Sequence, residues 1–116
     1  MTHQVFISYS TKNTTTAEAM CEGLEDNAIP CWIAPRDIPA GMAWAAAIDK
    51  AIRSARVMVL ILSSHANNSP QVIREICAAV EDGVEIIPVR VEEIIPSGAM
   101  KYYLSTVQWF DALTPP

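Results

Sequence analysis

The chain has 116 residues, 51% of them hydrophobic and 18% charged, with a net charge of −5. That length builds one core and not two, and no apolar run is long enough to cross a bilayer, so a membrane is not expected as a partner. The eight Lys and Arg residues form no cluster on this acidic background, which argues against nucleic acid as a partner.

Residues 1–4 pass directly into Val5 with no basic stretch ahead of a long apolar one, so no secretory signal is expected and the compartment implied is the cytoplasm. Cys21, Cys31 and Cys77 are odd in number and lack Cys-x-x-Cys spacing, as expected of reduced thiols in a core.

Val5-Phe6-Ile7 is a short β-branched and aromatic run of the kind covered on both faces, and predicts a strand inside a sheet. Small hydroxyl residues end it. Helix caps are on offer from 13 to 16, with Thr15 and Glu18 in capping-box spacing, and Ala17, Met20, Cys21 and Leu24 carry a helical stripe that Asn27 closes. A second strand is predicted over 29–33, where Pro30 suits a sheet edge or a strand's first residue better than its centre.

The stretch 31–41 reads Cys-Trp-Ile-Ala-Pro-Arg-Asp-Ile-Pro-Ala-Gly. Pro35, Pro39 and Gly41 stiffen its second part and keep it out of strand and helix, so it is predicted to protrude as a loop presenting Arg36, Asp37 and Ile38. A second helix is expected from Met42, with Trp44, Ile48, Ala51, Ile52 and Ala55 in helical spacing. The strand over 57–62 is the strongest in the chain and should be central.

Ser69 and Pro70 give a side-chain cap and a proline at the first helical position, and Val72, Ile73, Ile76, Cys77 and Val80 form the stripe of a third helix that Gly83 ends. Glu75 lies about 130° from the centre of that stripe, with Gln71 one turn earlier on the same polar side. A fourth strand is predicted over 84–89, a loop or single turn over 91–97, a weak helix over 99–104 and a last strand over 106–109. Alternating strands and helices with short connections predict a flavodoxin-like, doubly wound α/β fold: a five-stranded, mostly parallel sheet with helices on both faces. Residues 1–113 form the expected domain. The last helix of such folds is missing or lies beyond the chain end, and Pro115-Pro116 is read as opening a linker over 114–116.

Ligands of open α/β sheets bind beyond the carboxyl ends of the strands, which directs attention to 8–13, 34–41 and 63–69. The acidic residues and the lysine of a phosphate-accepting receiver are missing from the strand ends. Four glycines provide neither Gly-x-Gly-x-x-Gly nor a phosphate-cradling loop. His3 and His65 are the only histidines, Gly-x-Ser-x-Gly is missing, and so is metal-ligand spacing. What remains is one carboxylate, Glu75, beside a hydroxyl-lined cleft, although a glutamate on a polar helix face is ordinarily a solvated surface group.

Val-Phe-Ile-Ser-Tyr-Ser at 5–10, the stretch 31–41, the helix carrying Trp44, and the run from Ser69 to Glu75 together resemble the Toll/interleukin-1 receptor (TIR) domain family in its bacterial form. The first two correspond to the family's first two sequence boxes, and Gln108-Trp109-Phe110-Asp111 to its third. The resemblance implies cleavage of NAD+ at the nicotinamide–ribose bond, with NAD+ as substrate and no cofactor or metal. Glu75 would be the catalytic carboxylate. Phe6, Ser8, Tyr9 and Ser10 would border the nucleotide, with Arg36 and Asp37 reaching it from the loop, Trp44 as an aromatic wall and Gln71 beside the glutamate. Gln71 is a departure, because many NAD-cleaving members have tryptophan there. The resemblance also implies self-assembly with other TIR domains through Pro35, Arg36, Asp37, Ile38, Pro39 and Gly41, as a homo-oligomer or filament, and a role in immune signalling or anti-phage defence. The alternative is a scaffold that docks through the same loop without chemistry, or one that interferes with host TIR signalling.

Overall fold

The computed structural model describes residues 3–113; the linker expected over 114–116 lies outside them. The strands are β1 (Val5–Ser8), β2 (Cys31–Trp32), β3 (Val57–Leu62), β4 (Glu85–Arg90) and β5 (Phe110–Asp111). They form one sheet in the order β2-β1-β3-β4-β5, and all four pairings are parallel. The helices are α1 (Thr14–Asp26), α2 (Trp44–Ser54), α3 (Ser64–Asn67), α4 (Pro70–Glu81) and α5 (Gly98–Leu104), and among the described residues none follows β5.

Strand alternation divides the core into two clusters. On one face Phe6, Met58, Leu60 and Leu62 pack with Ile52 of α2, Val72 and Ile76 of α4, and Met100 and Leu104 of α5. On the other, Val5, Ile7, Val59 and Ile61 pack with Ala17 and Cys21 of α1. Phe6 stacks on Trp32 with ring centroids 5.2 Å apart and planes 10° from parallel, which fastens the edge strand to its neighbour. Cys21 and Cys31 are buried free thiols, and Cys77 is half-buried. Burial pushes the Cys31 thiol up to about 12.

Four local expectations are corrected. The second strand is two residues rather than five, because Pro30 has no N–H and the Ile33 N–H donates to Asp37 Oδ2 (2.9 Å) instead of to a ladder. The capping box at Thr15 does not form: a 3-10 turn over Thr11–Asn13 precedes α1, Ser10 caps that turn, and Asn13 gives no side-chain cap. The second helix begins at Trp44, not at Met42, whose N–H closes a turn onto the Pro39 carbonyl. The last strand forms at Phe110–Asp111 and not over 106–109. There Asp111 receives Arg90 Nε (2.6 Å) and Nη2 (3.1 Å), and the Arg90 guanidinium lies 5.7 Å from the Trp109 ring centre.

A short helix, α3, was not expected. Ser63 Oγ accepts from the Ala66 N–H (3.0 Å) and donates to Asn13 Oδ1 (2.6 Å), so one hydroxyl caps α3 and ties the end of β3 to the turn after β1.

Candidate functional site

Phe6 and Ser8, two apart on β1, both face α4. Ser69 starts that helix by accepting from the Val72 N–H (3.1 Å), and Pro70 occupies its first turn. Gln71 and Glu75 then stand one turn apart above the carboxyl end of β1. Ser8 Oγ donates to Glu75 Oε1 (2.7 Å) and Gln71 Nε2 donates to Glu75 Oε2 (2.9 Å), so both carboxylate oxygens are engaged.

Glu75 is 8% exposed, against its expected place on the polar face. The buried residues of α4 are Val72, Glu75, Ile76 and Ala79, and Val80 is 51% exposed. At 100° per residue the buried face is turned by about 80° from the apolar stripe. Ala79 lies between Val72 and Glu75 on the helical wheel and extends the buried face toward Glu75. It is the signal in the sequence that a stripe drawn through Cys77 and Val80 passes over. Burial pushes the Glu75 carboxyl above the usual carboxylate range, opposed by the hydrogen bonds from Gln71 and Ser8 and by the charge of Arg74.

The carboxyl group borders a cleft of about 530 Å³. Phe6, Tyr9, Pro35, Trp44, Ile48 and Gln71 are among its walls, and Trp44 is 59% exposed at its mouth. Tyr9 donates its hydroxyl to the Ala34 carbonyl (2.5 Å), which joins the loop to the end of β1. Burial, then the charge of Glu18, and least that of Glu75 raise its phenol above the ordinary value.

Of the expected site residues, Phe6, Tyr9, Trp44, Gln71 and Glu75 thus meet in one cleft, with Ser8 behind the carboxylate and Pro35 in the wall. Ser10 is buried but turned away to accept from the Lys12 N–H (3.2 Å). Arg36 and Asp37 do not reach the cleft. Arg36 donates to both oxygens of Glu25 on α1 (2.9 and 2.8 Å), to Asp37 Oδ2 (2.8 Å) and to the Cys31 carbonyl (2.8 Å), which draws it to the opposite side of the loop. Ile38 packs on the core, Pro39 is exposed, and Gly41 has the positive φ of +80° that closes the loop. The stretch 63–69 folds into α3 and its flanks and stays outside the cleft wall. Thr11 falls in the stretch 8–13, whereas Ile7, Thr14, Ala45 and Ile48 lie outside the stretches the sequence directs attention to, and nothing in their residue type marks them as cleft residues.

Among the described residues no group of three or more His, Cys, Asp or Glu side chains could hold a metal ion. No described helix is long and apolar enough to cross a membrane. The arrangement is a buried carboxylate fixed on both oxygens, facing an aromatic-walled cleft at the carboxyl end of a parallel sheet. It can hold an aromatic ring and place negative charge beside it.

This is a flavodoxin-like α/β domain with a carboxylate-centred cleft. A family model described as TIR domain matches residues 5–115, and the chain belongs to the TIR domain family. No curated protein matches the sequence. Among solved structures, the TIR domain of the Toll-related receptor TRR-2 from Hydra magnipapillata superposes with a TM-score of 0.82 at 19% identity, covering 96% of this chain and 85% of that one. The TIR domains of the activated Roq1 resistosome give 0.73 at 17% identity, with 89% and 69% covered. The CMP N-glycosidase BcmB of Clostridium botulinum gives 0.65 at 15% identity, with 95% and 87% covered. At these identities the likeness is one of fold.

Proposed function

We propose that this domain is an NAD+ nucleosidase that cleaves the nicotinamide–ribose bond, with Glu75 as its catalytic carboxylate. The observation that carries the reading is the buried Glu75, fixed by Ser8 and Gln71 at the wall of an aromatic cleft. The nicotinamide ring of NAD+ is a cation, suited to the faces of Tyr9 and Trp44 and to a carboxylate nearby. As the N-glycosidic bond breaks, its electron pair passes to the ring nitrogen, neutral nicotinamide leaves, and positive charge develops on the ribosyl carbon. A fixed anion beside that carbon stabilises the transition state. Water then adds to the carbon and releases a proton. The similarity in fold to a protein named as a CMP N-glycosidase supports the same bond class.

Assembly is part of this reading. Arg36 and Asp37 are held away from the cleft of their own chain, while the stiff turn bearing Pro39 and Gly41 is exposed. A second copy is the partner proposed for that loop, as a homo-oligomer or filament, and the TIR domains of a resistosome have the same fold. The immune or anti-phage setting and the bacterial origin implied by the sequence resemblance belong to this proposal. The loop geometry also favours a second reading, a homotypic scaffold without catalysis.

The experiment is NAD+ consumption and nicotinamide release by the wild type and Glu75→Gln, at high concentration or crowded on beads, with light scattering to follow assembly. Turnover by the wild type alone is the expected result. Turnover that persists in Glu75→Gln removes the assignment, and assembly without turnover in either supports the scaffold.

A further inference from the structure

Gln71 occupies the position before Glu75 by one helical turn, and its amide is not a spectator in the cleft wall. The Ser8 hydroxyl and the Gln71 amide take one carboxylate oxygen each, from opposite elements, β1 and α4. Two donors on the two oxygens leave the carboxylate no rotation that keeps both bonds. On the other side of the Gln71–Glu75 pair lies a smaller groove of about 270 Å³ between α2 and α4, lined by Ile48, Asp49, Ile52 and Arg74 among others. Gln71 and Glu75 border both spaces, so without the Gln71 bond only the Ser8 hydroxyl holds the carboxylate between them.

We propose that Gln71 is a positioning residue, whose amide joins the Ser8 hydroxyl in holding the Glu75 carboxylate as an anion aimed into the larger cleft. This rests on Glu75 being the functional carboxylate of the proposed reaction. It also gives that carboxylate a role. Two donated bonds favour the ionised form, which stabilises positive charge, over a protonated form that would deliver a proton to the leaving group.

The charged and titratable groups that face Glu75 are Tyr9 beyond β1, Arg74 on α4, and Asp49 on α2 across the smaller groove. Asp49 is paired with Arg53, and Arg74 lowers the Glu75 pKa by its charge alone. Gln71 is thus the one donor on α4 that touches the carboxylate directly among the described residues. It is exposed, so its replacement leaves the core intact.

The test is a carbon-13 NMR titration of glutamate side-chain carboxyl groups in the full chain, with the Glu75 signal identified by its loss in Glu75→Gln. In Gln71→Met, of similar length but with no donor, the Glu75 midpoint moves up by about one pH unit, and in Gln71→Lys it returns to or below the wild-type value. Circular dichroism stays unchanged, and the melting temperature of Gln71→Met stays at the wild-type value at acidic pH, where Glu75 is protonated in both proteins, and falls by a few degrees at neutral pH. If NAD+ is cleaved, the acid limb of the rate profile moves with the midpoint. An unmoved midpoint in Gln71→Met overturns the proposal even where the wild type cleaves NAD+. A moved midpoint in a protein that cleaves nothing upholds the Gln71 contact and removes the catalytic reading instead.

Discussion

Glu75 is costly to the fold. Burial raises its pKa, so the folded chain binds that proton more tightly than the unfolded chain does. Between the unfolded and the folded value the native state holds more protons, and stability falls as pH rises through this window. Glu75→Gln, which keeps a hydrogen-bonding amide and removes the charge, is therefore expected to raise the melting temperature at neutral pH by a few degrees. Calorimetry of the two proteins checks it, and the gain should vanish at acidic pH, where the wild-type carboxyl is protonated. The same raised pKa sets the pH dependence expected of the proposed NAD+ cleavage: its rate should fall on acidification through a value above that of an ordinary glutamate.

At the scale of elements, a few side chains decide where the helices and loops sit. Ser69 is the only side-chain cap of α4, and Gln71 lies in the turn it starts. Ser69→Ala should cost about 1 kcal/mol in urea denaturation. The loop after β2 is held by the Arg36 fork on Glu25, Asp37 and the Cys31 carbonyl. Arg36 and Glu25 are partly exposed, so solvent and salt weaken the fork, and Arg36→Ala should lower global stability by only about 0.5 kcal/mol. Its main effect should be local, with faster amide hydrogen exchange at Ile33, Asp37 and Ile38 than at β3. Equal exchange in the two proteins would show that the prolines alone hold the loop. At the far edge, the Arg90 guanidinium holds the Asp111 carboxyl below its usual range. The support it gives β5 is present above the ordinary aspartate value and is lost as pH falls through the folded one.

For the whole molecule, β3 carries the fold. Its even-numbered residues serve one core cluster and its odd-numbered residues the other, and it pairs along its length with β4. Leu60 is fully buried at the middle of that strand. Leu60→Ala should remove about 3 kcal/mol, a large part of the roughly 5–15 kcal/mol of a domain of this kind, and should do so in one cooperative transition. Tryptophan fluorescence, which follows side-chain packing, and far-ultraviolet dichroism, which follows the backbone, should report a common midpoint.

The sequence by itself determined the layered α/β architecture and the central place of β3, because apolar runs and helical spacing act locally, whereas Pro30 allowed either a sheet edge or a strand start and the sheet order decided for the edge. It also brought forward Glu75 as the one carboxylate worth testing, by elimination and family likeness. Only the tertiary structure decided that Glu75 is buried, since the rotation of α4 about its axis depends on the packing of Val72, Ile76 and Ala79 against the sheet and not on the mean direction of the apolar stripe. The same holds for Arg36, whose five donors find Glu25 and the Cys31 carbonyl only when α1 and β2 are side by side. Long-range partners of polar side chains leave no periodic trace in a sequence, and here they separate the residues that meet in the cleft from those that only hold its walls.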